Sequence, residues 1–188
     1  MKLKHLLLAG VAAGAANMAM AGQTITFNGK IVTSTCEVAV DGTAGNATVT
    51  LPTVSTKDLA AANNTAGATR FVVSVTNCGV LAGLDPLPTK IKTRFLARQV
   101  NGANLANTAV GGATNVAIQL LEDLGDVGSS TNAALDFSTT GYVTSATSQT
   151  PPDTTPAVTF PFIAQYIATG IAGAGTVQAI VDYELVYE

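Results

Sequence analysis

The sequence has no tryptophan, one histidine (His5) and two cysteines (Cys36 and Cys78), and only 11% of its 188 residues are charged. Each shortage excludes something. Nine Lys and Arg against twelve Asp and Glu, with no basic cluster, leave too little positive charge to neutralise a phosphate backbone, so nucleic acid is excluded as a partner. The lone His5 falls in an N-terminal segment expected to be cleaved on export. The remaining chain therefore has no imidazole for a Ser/His/Asp or Cys/His nucleophile and none for a zinc site. Two cysteines cannot close a thiolate metal site, and no cofactor is expected. The length fits one domain with a sizeable core. Against the scarcity of charge stands 47% hydrophobic residues and a mean hydropathy of +0.37, high for a soluble chain. Either a membrane segment raises it, or the chain carries apolar surface meant for a partner.

Part of the excess sits at the start. Met1 to Ala21 opens with Lys2, Lys4 and His5, runs through the apolar stretch Leu6 to Ala16 and ends in Ala19-Met20-Ala21, the small-x-small pattern of a cleaved export signal. A spanning helix needs about 20 apolar residues; this core is shorter and is diluted by Gly10 and Gly14. Residues 1–21 are therefore expected to be a signal peptide. In an exported protein the pair Cys36 and Cys78 reads most simply as one disulfide; the absence of a C-x-x-C spacing speaks against a redox role.

Past the signal, apolar residues recur with period two between Gly, Asn, Asp, Thr and Pro, the pattern of short antiparallel strands in an all-β sandwich. The expected strands are Thr24 to Val40, Ala47 to Leu51, Thr69 to Asn77, Lys90 to Val100, Val116 to Leu121, Thr159 to Ala168 and Gly175 to Tyr187. Turns are expected at Asn101-Gly102, Gly111-Gly112 and Gly128-Ser129-Ser130. A helical turn capped by Ser55 or Thr56 is expected near Thr56 to Asn63, and an exposed loop over the polar, Pro-rich stretch Thr144 to Pro156. The acidic group Glu122, Asp123 and Asp126 follows a strand and reads as a solvated turn. Paired carboxylates can do hydrolytic work, but this group gives no reason to expect an enzyme and lacks the spacing of a calcium loop.

Both ends of the mature chain offer apolar strands. In Gln23 to Val32, side chains alternate so that Ile25, Phe27, Gly29 and Ile31 share one face. This is either the first strand of the domain's own sheet or a strand with another destination. Gly29 is out of place on a buried face unless a second backbone comes close there. Asn28-Gly29 would suit a hairpin, but Phe27 and Ile31 keep phase across it. At the other end, Val177, Ala179, Val181, Tyr183, Leu185 and Tyr187 alternate with Gln178, Ile180, Asp182, Glu184 and Val186. A long terminal strand is normally an edge, open to pairing with another chain unless covered.

The blocks TFNGKIVTSTCEV, ATNVAIQLLEDLG and FPFIAQYIATG, followed by the alternating C-terminus with Tyr187 penultimate, resemble the pilin subunits of chaperone-usher fimbriae, most closely the type 1 major pilin family. The resemblance implies an immunoglobulin-like sandwich lacking its last strand, with an apolar groove in its place. It implies that a periplasmic chaperone fills the groove first, and that at the outer-membrane usher the N-terminal extension of a neighbouring subunit replaces the chaperone by β-strand addition. On this basis residues 22–31 are the donor-strand extension, with Gln23, Ile25, Phe27, Gly29 and Ile31 as its inward residues, and residues 32–188 are the pilin domain. By the same resemblance Val177, Ala179, Val181, Tyr183, Leu185 and Tyr187 would form the groove wall and chaperone-binding strand, and the terminal carboxylate, here on Glu188, would be the chaperone's anchor. Cys36 and Cys78 correspond to the family's bridge. The product would be an extracellular fimbrium on the bacterial surface, reached through the periplasm and supporting adhesion. An adapter, or an adhesive minor pilin that binds a receptor directly through loops such as Thr144 to Pro156, is the alternative. Only five residues precede Phe27 after cleavage, fewer than in the best-known major pilins, so the resemblance does not decide between shaft and adapter.

Overall fold

A computed structural model of the chain describes residues 36–78, 89–125, 127–152 and 157–188. Gln23, Ile25, Phe27, Gly29 and Ile31 lie outside the described residues, as does Asp126.

The architecture is all-β. Eleven strands form two sheets among the described residues: β1 (Glu37–Val40), β2 (Thr43–Ala44), β3 (Thr65–Thr76), β4 (Ile91–Ala97), β5 (Val100–Asn101), β6 (Asn104–Ala106), β7 (Val116–Glu122), β8 (Ala133–Ala134), β9 (Tyr142–Thr144), β10 (Val158–Ala168) and β11 (Val181–Tyr187). The larger sheet runs β2-β1-β3-β10-β7-β6-β5, with β8 also on β7; the smaller runs β11-β4-β9. Every ladder is antiparallel.

Burial follows the sequence periodicity. Along β3 the core takes Phe71, Val73 and Val75, and along β4 it takes Ile91, Thr93 and Phe95, one face in each case. The central strands β7 and β10 are apolar on both faces and lose the alternation. Three phenylalanines tie the sheets together: Phe95 from the smaller sheet meets Phe162 edge-on at 4.8 Å between ring centroids, and Phe162 stacks on Phe71 at 5.6 Å.

Pro161 stands inside β10, where a missing N–H would break a ladder. It is accommodated because the β10–β7 register begins one residue later, at Phe162 and Glu122. Beyond that point Asp123 donates its N–H to the Pro161 carbonyl at 3.1 Å and needs nothing in return. Opposite the irregularity between Ala164 and Tyr166, Gly67 sits at φ +68°, and a Cβ there would lie 2.9 Å from the Tyr166 ring.

Several expectations need correction. Ala47 to Leu51 keeps its two-residue alternation of burial but joins neither sheet; side-chain periodicity reports an apolar face and not a hydrogen-bonded partner. The C-terminal strand begins at Val181 and not near Gly175. Its partner β4 ends at Ala97, so residues 177–180 attach instead to Asn107, Thr108 and Arg98 through the backbone of Gln178 and the carbonyl of Ile180. The stretch from Thr144 is not a free loop over its described part: Thr144 closes β9, Ser145 is buried, and Gln149 pairs with Ile91. The expected helical turn is a 3-10 turn at Thr56–Leu59, capped by Ser55 with Asp58 reciprocating, and it carries Leu59 into a small second core with Val116, Ala168 and Ala172. Asn101-Gly102 does turn the chain, between β5 and β6, with Gly102 at φ +60°.

Glu122 and Asp123 were expected in a solvated turn and are buried, at 2% and 5% exposure. The Glu122 carboxylate accepts the N–H of Ala146, and the N–H and hydroxyl of Thr147 at 3.3 and 3.2 Å, tying β7 to the segment after β9. Asp123 is ion-paired with Arg70 at 2.6 Å. Both carboxylates are structural, which is how buried charge is tolerated.

Candidate functional site

Two edges meet without pairing. β1, with β2 folded beside it, ends the larger sheet, and β11 ends the smaller one. Side chains link the two sides at three points. The Tyr187 hydroxyl reaches the Cys36 sulfur at 3.4 Å, the Tyr183 hydroxyl donates to the Gly45 carbonyl at 3.2 Å, and Val54 and Val177 line one cavity. Residues 36–54 therefore run alongside residues 177–187 in the opposite direction, with a gap between the backbones.

Apolar side chains stand on both sides: Val177, Ala179, Val181, Tyr183, Leu185 and Tyr187 on the C-terminal segment, and Cys36, Val38, Ala47, Val49 and Leu51 on the segment alongside it. All of these pack against the main core, and every one is only partly buried. The residues between them on the C-terminal side, Gln178, Ile180, Asp182 and Glu184, point outward and are exposed. Sequence periodicity identified the C-terminal row. It did not identify Ala47, Val49 and Leu51 as the facing wall; their alternation was the available signal, read as an ordinary paired strand. At one end the gap opens into a cavity of about 410 Å³ bounded by the 3-10 turn, Tyr166 and residues 172–177. Near the other end lies the disulfide between Cys36 and Cys78.

The outer face of β4 and β11 fixes this wall in register. Arg98 and Asp182 form a two-pronged pair at 2.7 and 3.0 Å, Arg94 meets Glu184 at 3.2 Å, and Lys92 meets Glu188 at 2.9 Å. The hydrogen bond to Arg98 holds the Asp182 carboxyl below its ordinary range, and the same bond raises the Arg98 guanidinium. A terminal carboxylate oxygen of Glu188 accepts the N–H groups of Thr89 and Lys90 at 2.8 and 3.0 Å, so the end of the strand is held by the chain itself. With the cations on β4 engaged in this way, the smaller sheet presents a neutralised ladder rather than a basic patch.

The arrangement is an apolar, partly exposed margin between two segments that no ladder joins among the described residues. The family model described as "Fimbrial protein" matches residues 25–188. An F17 fimbrial protein of Escherichia coli is 34% identical over 192 residues, covering 100% of this chain and 99% of that protein. The type-1 fimbrial protein A chain of E. coli K12 is 31% identical over 99% of this chain and 94% of its own length. Among solved structures, a Burkholderia pseudomallei antigen and type I fimbria protein superposes with a TM-score of 0.53 at 27% identity, covering 82% of this chain and 100% of that one. The P pilus rod subunit superposes with a TM-score of 0.57 over 81% of this chain and 99% of its own; at 16% identity it supports the fold alone. The chain belongs to the fimbrial protein family.

Proposed function

We propose that the protein is a structural subunit of a bacterial surface fimbria, polymerising head to tail as the N-terminal segment Gly22 to Ile31 of one copy fills the gap of the next. The carrying observation is the double row of apolar side chains that pack on the core yet stay partly exposed, on β11 at the end of the smaller sheet and on residues 36–51, with no ladder joining the two. A row of this kind is a stable part of a soluble protein only when something covers it.

The lengths agree. Gln23 to Ile31 spans about 27 Å as a strand, and Val177 to Tyr187 about 34 Å at the same rise per residue. The chemistry agrees as well: Ile25, Phe27 and Ile31 supply an apolar face, and Gly29 supplies a point where the backbone comes close. Because every ladder in both sheets is antiparallel, the inserted strand continues the pattern by running antiparallel to β11. Before assembly a periplasmic chaperone covers the same gap along β11, and an outer-membrane usher exchanges the chaperone for the neighbouring subunit. The exported chain thus ends as part of an extracellular fibre supporting adhesion.

The test is deletion of Gly22 to Ile31. The truncated subunit is expected to bind the chaperone and to accept a strand, but to donate none, so that it ends fibres. Recovery of the truncated subunit at internal positions would overturn the donor role.

A further inference from the structure

The proposed strand exchange constrains where the two bodies lie, and the inference here rests on that reading. Ile31 is separated from Cys36, which opens the described domain, by only Val32 to Thr35, a reach of about 18 Å at full extension. A strand running antiparallel to β11 leaves the gap beside Val177, at the cavity end. The body of the donating copy is therefore held against that end of the receiver, with its own Cys36–Cys78 end facing it.

At that end of the receiver, beside the 3-10 turn that carries the exposed Lys57 and Asp58, stand two loops, residues 107–115 and 169–177. Neither carries a charged residue. They bear the two most exposed large hydrophobic side chains among the described residues, Val110 at 102% and Ile171 at 76%. The loops are not loose: Ala113 N–H donates to the Thr176 carbonyl at 2.8 Å, Gly173 N–H to the Thr114 carbonyl at 3.0 Å, and the Asn115 amide to the Ile171 carbonyl at 2.9 Å. Two apolar side chains held out on a cross-braced, uncharged platform lose little freedom on being covered. The platform is also continuous with the gap, since residues 172–177 line the cavity.

We infer that Val110 and Ile171 form a second contact between consecutive copies, on which the body of the strand-donating subunit rests at its Cys36–Cys78 end, near Thr150 to Pro152. Such a contact is heterologous: a patch on one end meets a different patch on the other, and repetition gives an open filament rather than a closed ring. The strand supplies the tether and the platform sets the angle between neighbours.

The experiment compares the full chain with V110E, I171E and the double variant in two assays. In the first, a synthetic peptide of residues 22–32 is added to chaperone-released subunit, and the rise in melting temperature is read. The variants are expected to match the parent. In the second, fibres are counted and measured by electron microscopy. The double variant is expected to lose about tenfold or more of fibre mass, by the scaling of association constants with buried contacts, and its surviving fibres to show a broader spread of bend angles. A photo-crosslinking residue at position 110 is expected to label the neighbour at Cys36, Lys90 or Thr150 to Pro152, which lie together at that end. Fibres of unchanged length and curvature from the double variant, or labelling confined to the subunit's own chain, would overturn the inference. Failure of the parent to take up the peptide would overturn the strand-exchange reading beneath it, a result the second assay alone could not give.

Discussion

Leu185→Ala separates the free and the strand-filled subunit. A fully buried leucine costs about 2–5 kcal/mol when truncated to alanine, from lost transfer energy and the cavity left behind. Leu185 packs on the core yet is only partly buried, and on the proposed reading its remaining exposed side faces the gap. In the free subunit the truncation should therefore cost about half that range, roughly 1–2 kcal/mol. The other half becomes available only when an inserted strand covers the gap, so strand affinity should fall by about 1–2 kcal/mol, or roughly 5- to 30-fold. Phe162 is the control. It is already 1% exposed, between the Phe71 and Phe95 rings. Phe162→Ala should cost about 3–5 kcal/mol in stability, yet change strand affinity by no more than about threefold, because nothing further is buried there on insertion. The assay is denaturant unfolding of each variant alone, followed by titration with a peptide of residues 22–32 read by fluorescence anisotropy. If Leu185→Ala leaves the affinity unchanged, or if Phe162→Ala lowers it as much, the gap is not where the strand binds.

Other outcomes follow from single contacts. Replacing Cys36 and Cys78 together by serine opens a loop of 43 residues and should lower stability by up to about 4 kcal/mol on the chain-entropy model, measured by comparing denaturation midpoints with the oxidised parent. Phe27→Asp places a charge on the inserted face and should abolish fibre formation without altering chaperone binding, because the buried carboxylate would have no partner; normal fibres from this variant would remove Phe27 from the donor face. Glu122→Ala leaves the N–H groups of Ala146 and Thr147 without their acceptor; because Ala146 is exposed and Thr147 half-buried, the cost is that of ordinary hydrogen bonds, about 0.5–1.5 kcal/mol each, and hydrogen exchange should quicken at those two amides before it does elsewhere. Asp182 is held below its ordinary range by Arg98, so its pair stabilises the fold above the unfolded carboxyl value near 4 and that contribution is lost as pH falls through the lower folded value. The amide signals of β11 should therefore broaden in the acid range below about pH 4, and an Asp182→Asn variant should remove that part of the change.

The fold was legible where a strand's side-chain pattern and its pairing coincide. Phe71, Val73 and Val75 alternate in sequence and alternate in the core, and from Val177 to Leu185 the alternate apolar residues are the ones that pack on the core. It failed where the two separate. Ala47, Val49 and Leu51 alternate as cleanly as a ladder strand but stand at the margin of the gap, and no local feature of a chain says whether a neighbouring backbone is present. Residues 177–180 continue the apolar period of β11 yet leave the ladder, because the end of their partner strand is set by the turn into β5. Glu122 and Asp123 were misread for a related reason. Their burial depends on Thr147 and Arg70, 25 and 53 positions away in the sequence, and charged residues after a strand otherwise belong in water. The platform of Val110 and Ile171 had no sequence signal at all, since isolated apolar residues in glycine-rich loops become a surface only when two loops are laced together.

The central claim is that the gap is closed by a strand from another copy. It is tested most directly by electrophoresis of surface fibres in denaturing detergent, with and without boiling. An inserted strand completes a sandwich whose unfolding is slow, so the unboiled lane should show a ladder of multimers spaced by one mature subunit, collapsing to a single band on boiling. The same ladder should be missing from cells expressing only the subunit without Gly22 to Ile31. A single monomer band in the unboiled lane of intact fibres, or a full ladder from the truncated subunit, would contradict it.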